Sequence, residues 1–156
     1  MTTPTLERQL PTYLPPIGDK TPKTLIKGVV FEWLNDEAFL FTLSDVHREA
    51  VDMYINTAVG LLNNWDLDKP MRIISDMSDE NMSLTPYFRK RLNDITSTIN
   101  TSKVHGVSAV VMGGGFIETL IVFFGNAFNK RTPNFKQRYF TDKQKGLDWV
   151  IKETAP

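Results

Sequence analysis

Near Thr24 apolar and polar residues begin to alternate. In LIKGVVFEWL, Leu25, Val29, Phe31 and Trp33 fall on one side, with Lys27 as the polar interruption, and the pattern predicts a strand. Asn35-Asp36 supplies a tight turn and EAFLFTL returns as a second strand, so the domain is expected to open on a hairpin. The period then changes from two to that of a helix. Val46, Ala50, Val51, Tyr54, Ile55, Ala58, Leu61, Leu62 and Trp65 hold one apolar face for about five turns. Ser44-Asp45 is placed to cap this helix, Asp45 and Glu49 suit its positive end, and Asn63-Asn64 with residues 66–70 stop it.

Met71 to Ser75 is a short apolar run of buried-strand type, ended by Asp76. After a polar loop, Thr85 is a good N-cap and Pro86 fits the first helical position, where its missing N–H costs nothing. Phe88, Leu92, Ile95 and Ile99 then draw a single apolar stripe. Val107 to Met112 is mostly apolar and β-branched, a second buried strand expected to run parallel to the first. Gly113-Gly114-Gly115 leads into FIETLIVFFGNAFNK, read as a helix with a polar stripe at Glu118, Asn126 and Asn129. Its opposing arc, which includes Phe116, Leu120, Phe123, Phe124 and Phe128, is wider than a one-sided surface helix needs. FKQRYF makes a last strand. Thr141, with Gln144 three residues on, begins a final helix through Leu147, Val150 and Ile151.

The resulting order, β-β-α-β-α-β-α-β-α, implies an α/β fold with a mixed sheet in two or three layers. Residues 1–23 carry five of the nine prolines and read as an extended arm ahead of one domain over 24–156. Tyr13, Leu14 and Ile17 are apolar enough for the arm to dock on the domain or on a neighbouring subunit, although a floppy tail is the plainer expectation.

Composition narrows the classes. With 156 residues, 41% hydrophobic and 23% charged, the chain reads as one soluble domain able to bury its own core. Eighteen basic residues balance eighteen acidic ones, so the electrostatic excess of a nucleic-acid binder is missing and no nucleic acid is expected as partner. The absence of cysteine excludes disulfides, thiol nucleophiles and Cys-ligated metals. With His47 and His105 as the whole histidine complement, no metal or other cofactor is expected. The N-terminus has no signal-peptide pattern and no apolar run reaches membrane-span length; a cytoplasmic protein, not an integral membrane one, is expected.

Candidate chemistry concentrates between the central strand and its helix. Ser83 and Thr85 sit where backbone N–H groups at a helix start stabilise an anion, with Asp76, Ser78, Asp79 and Glu80 before them and Arg89, Lys90 and Arg91 after. The plainer reading is a solvated strand-to-helix loop. The acids invite a magnesium reading, but a solvated acidic loop is the favoured one. The triple glycine lacks both the GxGxxG spacing and the Walker lysine, and serves as a tight turn. His105 is expected to complete packing and His47 to be exposed. The Phe-rich arc is open to three readings: burial under the sheet, a subunit interface, or the lining of a pocket for an apolar ligand.

The element order, together with IISDM, Pro86 at the helix start, VVMGGGFIETLIVFFGNAF and RYFTDKQKGLDWV, resembles the STAS domain (sulfate transporter and anti-sigma-factor antagonist). More closely, it is similar to the small bacterial STAS-like (SpoIIAA-like) proteins, over residues 24–153. The resemblance implies a STAS-like fold and a non-enzymatic regulatory or interaction role. It also implies a phosphorylatable serine at the start of the helix after the central loop, where this chain has Asn81-Met82-Ser83-Leu84-Thr85-Pro86. The family's Asp-Ser-Ser is absent there, and Pro86 takes a helix position. A likeness of the subgroup to lipid-carrying domains would give the Phe-rich helix a function. The expected role is therefore docking of a protein partner, or self-association into a homo-oligomer, through residues 76–92. The alternative is a carrier or sensor of an apolar small molecule built on residues 116–128.

Overall fold

A computed structural model describes residues 9–113 and 133–153 of the chain. One six-stranded sheet runs in the order β1-β2-β3-β4-β5-β6. Its strands are β1 (Lys23–Ile26), β2 (Val29–Trp33), β3 (Ala38–Leu43), β4 (Met71–Met77), β5 (Gly106–Met112) and β6 (Phe135–Phe140). Among the described residues the helices are α1 (Arg48–Asn63), α2 (Pro86–Thr101) and α3 (Lys143–Lys152). β1, β2 and β3 pair antiparallel through tight turns, whereas β3 to β6 pair parallel. The fold is thus α/β with a mixed sheet, and β4 and β5 run parallel as the apolar runs predict.

The opening differs from the expected hairpin. The strand predicted through LIKGVVFEWL is two strands, folded back at Lys27-Gly28. Gly28 has φ of 93°, a conformation side chains resist, and a Cβ there would stand 2.6 Å from that of Asp45. The described order is therefore β-β-β-α-β-α-β-β-α, and the helix expected after Gly115 lies outside the described residues.

Helix starts show how short polar side chains choose their position. Thr85 caps α2 as predicted, its hydroxyl accepting from the Phe88 N–H at 3.0 Å, with Pro86 next in line. α1 begins later than expected, at an N-cap of His47. Asp45 instead accepts from the His47 backbone N–H at 2.9 Å and pairs with its ring at 3.0 Å, contacts that lower its carboxyl pKa. In α3 the cap is Asp142 rather than Thr141, because its carboxylate reaches two N–H groups, those of Gln144 and Lys145.

Strand alternation sends side chains to two faces. On one face Leu40, Ile74, Ala109 and Val111 meet Val150 of α3. Arg72 closes that helix by donating to the carbonyls of Val150 (2.6 Å) and Glu153 (2.7 Å), a cation at the negative end of the dipole. On the other face lie α1 and α2, over a core of Phe31, Trp33, Phe39, Phe41 and Trp65. The α2 helix leans on α1 rather than on the strands. Arg91 links them through Asp52 (3.4 Å) and Asn56 (2.5 Å) and also pairs with Asp94 of its own helix (3.1 Å), while Tyr87 donates to Asp52.

From residue 9 the arm lies against its own domain. Leu14 is buried, the Trp33 indole donates to the Pro15 carbonyl at 2.7 Å, and the hydroxyls of Tyr13 and Thr57 meet at 2.7 Å. Ile17 stays exposed. No helix among the described residues is long and apolar enough to cross a membrane.

Candidate functional site

The corner after β4 is ordered from inside. Asp76 ends on the α3 face and is only 7% exposed. One of its carboxylate oxygens accepts from the Ser78 N–H (3.0 Å) and hydroxyl (2.6 Å), and the other faces the Lys143 ammonium at 3.8 Å. Asp76 therefore tethers the loop, and the Ser78 hydroxyl is already engaged. Asp79 repeats the device by accepting from the Asn81 N–H at 2.9 Å, and Met82 anchors the loop in the core. Ser83 and Arg89 are exposed, whereas the Thr85 hydroxyl is occupied by its capping bond. The structure thus brings Asp76 and Ser78 together but leaves Ser83, Thr85 and Arg89 with separate tasks. No three carboxylates or histidines gather into a metal cluster among the described residues. The apolar candidates Phe116, Leu120, Phe123, Phe124 and Phe128 lie outside the described residues.

A cleft with a cavity volume of about 70 Å³, open to solvent, lies on the opposite side of the sheet from Asp76. Tyr54, Ala58 and Leu62 of α1 form one wall, and Leu92, Ile95, Thr96 and Ile99 of α2 the other. Leu92 and Ile95, on the helix's apolar stripe, are half-buried: they pack against the core and also line the cleft.

The floor is a consequence of register. Two rows cross the sheet on this face, Trp33–Phe39–Ile73–Ser108–Gln137 and Phe31–Phe41–Ser75–Val110–Tyr139. Each begins in aromatics and reaches a serine, and the missing side-chain volume is the hollow. One row below, Met71–Gly106–Phe135, the sheet is tight: a Cβ on Gly106 would fall 1.9 Å from the Met71 carbonyl oxygen. The cleft therefore stops there.

Its polar groups among the described residues are few and uncharged. The Tyr54 and Ser75 hydroxyls bond to each other at 2.9 Å, and Thr96 bonds back to the Leu92 carbonyl at 3.4 Å. The Tyr139 hydroxyl donates to the Gln137 side chain at 3.3 Å. Burial pushes both tyrosines up to about 12, with the Ser75 bond opposing the rise at Tyr54, so both stay protonated near neutral pH. Ser108 is 8% exposed, lines the cleft, and has no hydrogen-bond partner for its hydroxyl among the described residues. An apolar chamber with a few hydroxyls and an amide solvates an apolar body and orients it by one polar group.

Reading the residues alone missed Tyr54, Ser75, Ser108, Gln137 and Tyr139. The available signal was a serine set within each of two fully buried parallel strands, IISDM and GVSAVV, where apolar residues fit both faces. No protein-family model matches the chain, and no curated protein or solved structure matches it.

Proposed function

We propose that the protein binds an apolar small molecule in the cleft between α1, α2 and strands β4–β6, as a carrier or sensor. The observation that carries this reading is Ser108, which lines the apolar chamber and whose hydroxyl has no protein partner among the described residues. That hydroxyl opens onto the cleft, where the polar group of a ligand can bond to it. The reading keeps the apolar-ligand function expected from the Phe-rich segment and moves its supporting residues to the cleft.

Docking of a protein partner or second copy through residues 76–92 is the rival reading. It is favoured by the exposed Ser78–Asn81 turn, whose backbone is held by Asp76 and Asp79 before any partner arrives. Native mass spectrometry of the full chain purified from cells separates the two. A small-molecule adduct, lost in a Ser108→Leu variant that fills the hollow, is the expected result. A clean dimer or higher oligomer without an adduct supports the docking reading and overturns the cleft reading.

A further inference from the structure

The cleft's electrostatics narrow what it accepts. Among the described residues, no charged side chain lines it. The nearest cations on the sheet floor are Lys136 and Arg138, which flank Gln137 along β6. Alternation sends them to the other face, where the Arg138 guanidinium stands over the Phe140 ring at 5.1 Å and Lys136 pairs with Glu153 at 3.1 Å. The arginine closest in chain to the α2 wall, Arg91, is tied to Asp52 and Asp94. A carboxylate drawn into this chamber would lose its water and meet no counter-charge, a cost that apolar contacts do not offset.

Hydrogen-bonding capacity points the same way. Tyr54, Ser75 and Thr96 already have partners within the protein. Ser108 offers one donor and two acceptor sites with nothing opposite among the described residues. Its row neighbours are Ile73 and Gln137, so a polar group reaching it is surrounded by an apolar wall on one side and an amide on the other. Resting on the binding function proposed above, we propose that the ligand is an uncharged amphiphile, an alkyl or ring body with a hydroxyl or carbonyl head, and that the head bonds to Ser108.

The test uses the full chain and a neutral dye, N-phenylnaphthylamine, whose emission rises in apolar surroundings. Dodecanol and dodecanoate share a chain and differ in head charge at neutral pH. Dodecanol is expected to displace the dye at concentrations at least about tenfold below those of dodecanoate. A Ser108→Ala variant is expected to lose about five- to tenfold in dodecanol affinity, and to lose more for dodecanol than for the dye. Equal or tighter binding of dodecanoate overturns the uncharged-ligand inference while leaving the cleft as a site. Unchanged dodecanol affinity in Ser108→Ala overturns Ser108 as the anchor. Failure of the dye to bind at all overturns the binding function itself.

Discussion

Two ends of the same sheet face carry opposite solutions to burial. Over β2 and β3, α1 presses on a block of aromatic rings in edge-on and stacked contact, with centroids 5.1 Å apart for Phe31–Trp33 and 5.5 Å for Phe31–Phe39. Over β4 to β6, the same two rows continue into Ser75, Ser108 and Gln137, and a cleft replaces the rings. Tyr54 marks the border: its ring lies edge-on to Phe41 at 5.0 Å, and its hydroxyl crosses to Ser75 at 2.9 Å. The aromatic end gives close contact and a rigid frame. Among the described residues the hollow end forgoes that contact.

The contrast breaks most visibly at Phe39. It is fully buried, touches Phe31, Trp33, Phe41 and Trp65, and stands next to Ile73 on β4. Phe39→Ala leaves a cavity that neighbouring rings cannot collapse into, and a loss of about 3–5 kcal/mol is expected from denaturant midpoints. A loss below about 1 kcal/mol would mean that the aromatic end is as loosely filled as the other, and the comparison would fail.

The aromatic end was also the legible one. Phe31, Trp33, Phe39 and Phe41 alternate in two short segments, and the period of two says both strand and inward face. The positions of α2, β5 and β6 were equally plain, because Thr85-Pro86 and the β-branched run each have one local solution. The turn at Lys27-Gly28 was not, since Leu25 and Val29 keep the same parity on either side of it. The cleft was least visible. Its floor depends on Ile73, Ser108 and Gln137 becoming neighbours, residues far apart in the chain that only parallel pairing sets side by side. At the corner after β4, which runs on past Asp76 to Met77, Thr85 caps α2 as its sequence context implies, and the acid and hydroxyl are engaged within the loop and the helix start.

At the border, Tyr54 ties stability to alkaline pH. Its folded pKa of about 12 exceeds the ordinary 10, mainly through desolvation. Between those values the unfolded chain ionises the phenol and the folded one does not. The folded state binds more protons there, so stability falls as pH rises from about 10 through 12, by about 2 kcal/mol for this group. Tyr54→Phe begins about 1 kcal/mol below the wild type, because Ser75 loses its partner. It is expected to lose correspondingly less over the alkaline window, so the two stability curves converge or cross. Denaturant midpoints at a series of pH values check this, with Tyr139, also near 12, contributing to both proteins alike. Parallel curves would show that the border is wet rather than buried.

The smallest effect is the most discriminating, because its sign matters more than its size. Ser108→Val places a β-branched side chain in a central strand and removes a hydroxyl that no described residue satisfies. The valine methyls enter the hollow of the cleft. The ligand-free protein is therefore expected to gain about 1 kcal/mol, read as a higher denaturant midpoint at unchanged slope. Dye uptake by the same variant is expected to fall. If Ser108 were an ordinary core residue, the substitution would cost stability by overpacking and leave any ligand indifferent. A side chain kept for a ligand at the expense of the core makes stability and binding move in opposite directions when it is replaced. Phe39, in the same row on the other side of Ile73, has no such conflict to reveal.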